Sequence, residues 1–106
     1  ATSKGAIHAF TRALAVDCAK DNIRVNSISP GSIRTPLLEY SAKELTEPGS
    51  DVEETLSGFG ESHPIKRIGT VEEIGALVAY LVGPDAGFCI GGDFLIDGGL
   101  KAKLGV

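Results

Sequence analysis

Residues 23–31 read Ile-Arg-Val-Asn-Ser-Ile-Ser-Pro-Gly, and this stretch decides the fold class. Ile23, Val25 and Ile28 are β-branched and closely spaced, which favours a strand. Pro30-Gly31 is typical of a tight turn. The segment therefore predicts a strand over 23–28 that runs into a turn at Pro30.

Helices are predicted on both sides of this strand. In residues 6–19 apolar side chains recur at spacings of three and four, and Asp21-Asn22 ends that helix. Thr70 and Glu73 form a capping box that begins the second helix, and Gly83-Pro84 stops it. The apolar face of the first helix comprises Ala6, Ile7, Phe10, Ala13, Leu14 and Val16; that of the second comprises Val71, Ile74, Leu77, Val78 and Leu81.

A second strand is predicted at Phe94-Leu95-Ile96, between two glycine pairs. Its short, uninterrupted apolar run is typical of a strand buried on both faces of a parallel sheet. Alternation of helix and strand predicts the α/β class, with right-handed crossovers. Two strands are too few for a stable sheet, and the chain contains no methionine. We therefore expect a cut chain whose sheet is completed by other strands.

Residues 32–63 carry a weaker pattern, with short helix-compatible stretches at 35–45 and 52–56. A long excursion in a compact domain often covers a functional site, so a lid is one interpretation. A merely solvated acidic loop is the other.

Charge and hydropathy argue against several partners. The formal net charge is -4, and acidic residues concentrate between Glu39 and Glu61, so no basic surface favours nucleic acid or an anionic membrane. No apolar run approaches the roughly 20 residues that span a bilayer, and the first residues lack the features of a signal peptide. A cytoplasmic protein is expected.

The histidines, cysteines and paired carboxylates suggest no separate catalytic or metal site. Cys18 and Cys89 lack C-x-x-C spacing, so packed, reduced thiols are expected. His8 is expected to be packed or interfacial, and at His63 a solvated loop residue is favoured over a substrate contact. The pairs Glu53-Glu54 and Glu72-Glu73 point to different helix faces and cannot share a proton.

Four stretches resemble the second half of the short-chain dehydrogenase/reductase family in order and spacing. They are residues 1–6, 11–15, 23–31 and 96–99. The resemblance implies that residues 1–106 are the C-terminal portion of one Rossmann-like, doubly wound parallel domain, with 37–63 as its substrate-loop excursion. Ile90 departs from the family pattern, which commonly has threonine there.

Lys4 matches the lysine of the family's Tyr-x-x-x-Lys motif, so its tyrosine would immediately precede Ala1. Residues four apart lie on one face of a helix. A phenol titrates near ~10, and an adjacent ammonium stabilises its phenolate. The resemblance therefore implies that Lys4 is catalytic and also holds the ribose of a nicotinamide nucleotide.

The resemblance also implies a cofactor-binding loop after the first strand. Pro30 and Gly31 shape it, the backbone around Ile33 contacts the nicotinamide carboxamide, and the Thr35 hydroxyl helps to fix the ring and the phosphates. An ordinary strand-ending turn is the alternative. Asn26 is expected to tie neighbouring backbone groups together.

The implied function is hydride transfer between NAD or NADP and a carbonyl or secondary alcohol, in a homodimer or homotetramer, without a metal. The substrate and the choice of dinucleotide stay open, and the chain alone is expected to be inactive. A noncatalytic structural or binding fragment completed by a partner chain is the alternative; a standalone small α/β domain is less favoured.

Overall fold

The structure is a computed structural model that describes residues 2–104, with only the backbone at Thr2 and Leu104. Ala1, where the family-like pattern starts, lies outside these residues. The elements in chain order are α1 (Thr2–Ala19), β1 (Ser27–Pro30), α2 (Pro36–Leu45), α3 (Val52–Gly60), α4 (Val71–Val82), a 3-10 turn (Pro84–Ala86), β2 (Asp93–Ile96) and α5 (Leu100–Leu104).

The chain divides into two compact units. The first unit holds the residues up to Ser29 together with Ala76–Leu95, and the second holds Pro30–Gly75 together with the residues from Ile96 onward. Within the part of the chain that the structure describes, no helix is both long and apolar enough to cross a membrane.

The two strands pair in parallel, which confirms the predicted α/β class with a parallel sheet. The amide of Ser27 donates to the carbonyl of Gly92 at 2.9 Å, and the amide of Gly31 donates to the carbonyl of Ile96 at 3.1 Å. From the first bond to the second, the donor moves from residue 27 to 31 and the acceptor from 92 to 96. Both numbers rise together, as they must in a parallel pair. The predicted burial of β2 on both faces is wrong for this chain, because Leu95 is 50% exposed.

Strand β1 begins at Ser27, four residues later than its β-branched pattern predicts. Helix α1 ends as predicted, and Asn22 then adopts a left-handed φ of 60°. The side chains of Arg24 and Asn26 are used to bind distant backbone groups. The residues after the helix therefore form a connection that is held by these side chains and by backbone hydrogen bonds, such as the one from the amide of Gly91 to the carbonyl of Val25 at 2.8 Å.

In the second unit, the excursion folds into a pair of helices in contact with each other. Thr35 caps α2 and Asp51 caps α3, each by accepting a backbone N–H on its side-chain oxygen. Ala42 on α2 and Leu56 on α3 are buried, at 0% and 2% exposed. The helix-compatible stretches of the sequence are thus helices, and the lid role of this region stays a prediction.

Helix α5 was not predicted. The carboxylate of Asp97 accepts from the amides of Gly99 and Lys101, each at 3.0 Å, and so begins the helix. Gly98 and Gly99 both have positive φ, at 60° and 92°, a conformation that glycine adopts without steric cost. The Asp-Gly-Gly stretch thus turns the chain directly into a short helix.

Candidate functional site

The loop that follows β1 is fixed by its backbone. The carbonyl of Ser32 accepts from the amide of Gly69 at 2.8 Å, and the amide of Arg34 donates to the carbonyl of Gly69 at 2.9 Å. Ile33 and Gly69 thereby form an isolated parallel bridge within the second unit. In such a bridge, the N–H and C=O of the central residue point away from the partner.

Ile33 is therefore the residue whose backbone groups stay available. Among residues 2–104, no hydrogen bond uses its N–H or its C=O. The N–H and C=O of Ile33 thus face the same side of the loop, while Gly69 binds the backbone on the other side. This arrangement suits a planar group with one acceptor and one donor, such as a primary carboxamide.

His63 lies behind this loop rather than in solvent. The residue is only 2% exposed, and its Nε2 accepts a hydrogen bond from the amide of Ser32 at 3.1 Å. The prediction that favoured a solvated His63 is therefore wrong. Nothing in the local sequence signals this contact, since Ser32 lies 31 residues away.

Gly31 fits this place because the backbone and the imidazole approach it closely. A Cβ at this position would lie 2.8 Å from Nε2 of His63 and 3.0 Å from Cα of Asp97. Any other residue would force one of these neighbours to move. Gly31 is thus required for close packing at the carboxyl end of β1.

A cavity of about 80 Å³ adjoins the loop and is lined on its polar side by Arg67, Glu73 and Asp97. Ile65 and Ile96 contribute apolar walls. The volume suffices for a few water molecules and is too small for a dinucleotide. A large ligand would have to lie along the outside of the loop.

Thr35 stands at the start of α2, where its Oγ1 accepts the amide of Leu38 at 3.2 Å. A hydroxyl can accept one hydrogen bond and still donate its own proton. The capping bond leaves the hydroxyl proton of Thr35 free to be donated. The contact of Thr35 with a cofactor stays a prediction.

The guanidinium of Arg34 is paired with two carboxylates. Its guanidinium donates to both carboxylate oxygens of Glu53, at 2.7 and 3.1 Å, and to Glu39 at 3.4 Å. These hydrogen bonds lower the pKa of Glu53 and raise the pKa of Arg34. Since Arg34 is neutralised by neighbours, it is a poor candidate for binding phosphate.

A second exposed pair joins Arg67 to Glu73. Two hydrogen bonds of 2.9 and 2.8 Å connect the guanidinium to the carboxylate. Together with the amide of Thr70, they lower the pKa of Glu73 to about 2. The predicted capping box is confirmed, because Oε1 of Glu73 accepts the amide of Thr70 and the amide of Glu73 donates to Oγ1 of Thr70.

The predicted site residues are divided between the two units. Lys4 lies on the exposed surface of α1 in the first unit. Pro30, Gly31, Ile33 and Thr35 lie in the second unit. Their roles in binding and catalysis stay predictions.

The first unit contains a polar cluster that the sequence did not reveal. Nε2 of His8 lies 3.2 Å from Oγ of Ser29 and 3.3 Å from Oδ1 of Asp93. The hydroxyls of Ser27 and Ser29 donate to the same carboxylate at 2.9 and 2.8 Å. His8 thus links α1 to both strands, as a half-buried residue of the kind that was expected.

Asn26 ties two backbone groups together, as predicted. Its Nδ2 donates to the carbonyl of Cys89 at 2.8 Å, and its Oδ1 accepts the amide of Gly92 at 3.0 Å. Cys89 and Cys18 are free thiols. Within residues 2–104 no group of histidines, cysteines and carboxylates is arranged to hold a metal ion.

Comparison with known proteins identifies the class of the chain. Residues 1–101 match the family described as enoyl-(acyl carrier protein) reductase. The short-chain reductase NovJ of Streptomyces niveus is 39% identical over 99 residues, which are 93% of this chain and 37% of NovJ.

Solved structures of the same class are similar. The L-sorbose reductase of Gluconobacter frateurii, in complex with NADPH and L-sorbose, superposes with a TM-score of 0.88 at 39% identity, over 93% of this chain and 38% of that one. A 4-hydroxyisoleucine dehydrogenase mutant with NADH and succinate gives 0.77 at 35% identity, over 95% and 38%.

The chain therefore belongs to the short-chain dehydrogenase/reductase family, and its fold is the Rossmann type of that family. It spans about 37% of the length of the curated relative NovJ.

Proposed function

We propose that the protein is an oxidoreductase that transfers a hydride between NAD or NADP and a carbonyl or secondary alcohol. Residues 1–106 are proposed to be the C-terminal part of its dinucleotide-binding domain. The observation that carries the proposal is the outward-facing N–H and C=O of Ile33, located after the carboxyl end of a parallel strand. Open α/β sheets bind nucleotides at that end of their strands. The NADPH and NADH complexes of similar structures support the choice of cofactor.

The loop residues fit the amide end of a nicotinamide nucleotide. The free N–H and C=O of Ile33 match the acceptor and donor of the carboxamide. Gly31 keeps the loop close to His63, and Pro30 restricts the backbone before it. The free proton of Thr35 can be donated to a phosphate or carboxamide oxygen. The nicotinamide ring, when bound, supplies the hydride chemistry.

Lys4 is proposed to be the catalytic lysine. Within the part of the chain that the structure describes, its ammonium has no hydrogen-bond partner, so all three donors are available. One or two donors would hold the ribose hydroxyls, and the positive charge would stabilise the phenolate of a tyrosine one helical turn earlier.

Substrate choice is proposed to depend on the excursion 37–63, because α2 begins directly after the cofactor loop and α3 packs against α2. Loops and insertions after a strand are where binding residues concentrate on such scaffolds. A panel for assay comprises sugars, hydroxysteroid-like alcohols and 3-oxoacyl thioesters.

A homodimer or homotetramer in the cytoplasm is proposed as the working form. Ile7, Phe10 and Val16 on α1 are 56%, 65% and 75% exposed, an apolar surface that a second copy could cover. The free thiols of Cys18 and Cys89 suit a reducing compartment. Light scattering of a Phe10→Ser variant tests the assembly, because losing the interface would lower the measured mass.

The decisive experiment follows nicotinamide absorbance with the intact gene product, the substrate panel and both dinucleotides. In Lys4→Ala, we expect the rate to fall about a hundredfold or more, since acid–base assistance is weakened. Lys20→Ala removes an exposed lysine just after the same helix and is the matched control. An unchanged rate in Lys4→Ala would remove Lys4 from the mechanism.

A noncatalytic role, completed by a partner chain, predicts a different result. It is favoured by the exposure of Leu95 on β2, which leaves apolar strand surface for another chain to cover. In that case the intact gene product would bind neither NADH nor NADPH in a fluorescence titration. The proposed oxidoreductase binds one of them. The 106-residue chain alone is expected to be inactive in either case.

A further inference from the structure

His63 is buried and directional, two properties that its position in the sequence does not explain. It follows α3 in the second unit and is 2% exposed. A buried polar side chain is stable only when its hydrogen bonds are satisfied. The contacts of its two ring nitrogens therefore define what it does.

The hydrogen-bond directions around the ring assign its tautomer. Because the amide of Ser32 can only donate, Nε2 must carry the lone pair. The hydroxyl of Ser62 donates to the carbonyl of Phe59 at 3.3 Å, which leaves its oxygen to accept from Nδ1 of His63, also at 3.3 Å. The imidazole is thus neutral, with its proton on Nδ1.

Three hydrogen bonds hold the backbone on either side of Ile33, and His63 makes the one that involves a side chain. The other two come from the backbone of Gly69, to Ser32 and Arg34. All three leave the N–H and C=O of Ile33 facing outward. The bond from His63 can therefore be removed by substitution while the backbone bridge remains.

We infer that His63 is a positioning residue, which holds Ser32 so that the backbone groups of Ile33 are presented to the nicotinamide end of the dinucleotide. This inference rests on the proposed function of the loop. In this assignment His63 acts through Ser32.

The surrounding charged groups cannot replace His63 as an acceptor. Asp97 already accepts the amides of Gly99 and Lys101. Glu73 is paired with Arg67 and with Thr70. Lys103, which lies 3.4 Å from the carbonyl of Ser62, is a donor only. Loss of the imidazole would therefore leave the amide of Ser32 without a partner.

Two variants of similar volume separate the acceptor from the ring. His63→Gln places an amide oxygen near the position of Nε2 and keeps an acceptor, whereas His63→Leu has none. Ser62→Ala is the matched control, because it removes the partner of Nδ1 and the hydroxyl bond to Phe59 while leaving the acceptor at Nε2 in place. Each variant is made in the intact gene product, and NADH and NADPH are titrated by fluorescence alongside thermal unfolding.

We expect the Kd of the dinucleotide to rise on the order of tenfold in His63→Leu, the cost of an unsatisfied buried donor. It should stay within about twofold of the native value in His63→Gln and in Ser62→Ala, where the acceptor remains. Hydrogen exchange of the Ser32 amide should accelerate only in His63→Leu. Rescue by glutamine distinguishes positioning from a general packing role.

The outcomes separate the two proposals. Native-like dinucleotide binding in His63→Leu overturns the positioning role and leaves the oxidoreductase function intact. Equal weakening in the leucine and glutamine variants also overturns it, since the acceptor would then be irrelevant. If the native protein binds neither dinucleotide, the proposed function fails, and the inference fails with it.

Discussion

The two ends of helix α4 are held in different ways. At its start, Thr70 and Glu73 cap each other within one helical turn, and Arg67 supports the carboxylate. At its end, the guanidinium of Arg24 donates to three carbonyls, those of Leu81 at 2.6 Å, Ala86 at 2.9 Å and Gly83 at 3.2 Å. The first arrangement is local and exposed. The second is partly buried, and its partners are separated by 57 to 62 positions along the chain.

This difference explains what holds the fold. The last carbonyls of a helix have no partner within it, and Arg24 provides five donors on one rigid group. Exposed ion pairs such as Arg67 with Glu73 contribute little, because water and salt screen them. We therefore expect the end of α4 to depend more on one side chain than its start does.

The largest effect is expected at Arg24. In Arg24→Met the three carbonyls lose their donors, and the free energy of unfolding should fall by about 2 to 4 kcal/mol. Urea denaturation followed by circular dichroism measures this loss. Arg24→Lys keeps the charge but offers a single ammonium, so an intermediate loss is expected. A methionine variant as stable as the native protein would refute the dependence of this helix end on Arg24.

A similar long-range contact occurs at Asn26, with a somewhat smaller expected effect. Asn26→Leu removes the hydrogen bonds to Cys89 and Gly92, which should cost about 1 to 3 kcal/mol. Ser27→Ala is the matched control, because its hydroxyl contacts Asp93 at an exposed site. The comparison fails if the serine variant loses as much stability in urea as the leucine variant does.

The same distinction decides how much could be predicted from the sequence. The start of α4 was predicted because the two residues of its capping box are three positions apart, and the end of α1 was predicted from Asp21-Asn22. Contacts of Arg24 and His63 were missed, since their partners are far along the chain and are carbonyls or amides that every residue possesses. The loop at Ile33 was located through resemblance, but its free N–H and C=O follow from the bridge to Gly69.

Strand β1 was misplaced for a related reason. Its β-branched residues begin at Ile23, yet the strand begins only at Ser27. Before that point, Arg24 and Asn26 use their side chains to bind distant backbone, and the carbonyl of Val25 accepts a backbone hydrogen bond from the amide of Gly91 at 2.8 Å. Local propensity is a weak guide where tertiary contacts of this kind compete with it.

At the start of α4, the loss of a cap is expected to cost less than either long-range change. Thr70→Ala removes the oxygen that accepts the amide of Glu73 at 3.2 Å, and about 1 kcal/mol of stability should be lost. Thr70→Ser retains the oxygen and should be close to native in the same urea measurement. Equal losses in both variants would show that the methyl group matters rather than the cap.

The smallest effect is expected from the charge of Glu73, and pH isolates it. Glu73→Gln keeps the side-chain contacts of the capping box while removing the charge that faces Arg67. The pKa of Glu73 is lowered from its ordinary 4.5 to about 2, chiefly by hydrogen bonds from Arg67 and then from Thr70. A depressed pKa means that the charge stabilises the fold above pH 4.5, and that this contribution is lost as the pH falls toward 2.

The measurement is the difference in urea midpoint between the native protein and Glu73→Gln at a series of pH values. The native protein should be slightly the more stable at neutral pH, and the difference should shrink steadily below pH 4.5, because Glu73 takes up a proton first in the unfolded chain and only near pH 2 in the folded one. Added salt should reduce the neutral-pH difference, since the pair is exposed. A difference that stays constant from neutral to acidic pH would mean that the glutamine alters the cap geometry. The start of α4 would then depend on the geometry of its capping box, and the ion pair of Arg67 with Glu73 would be irrelevant to stability.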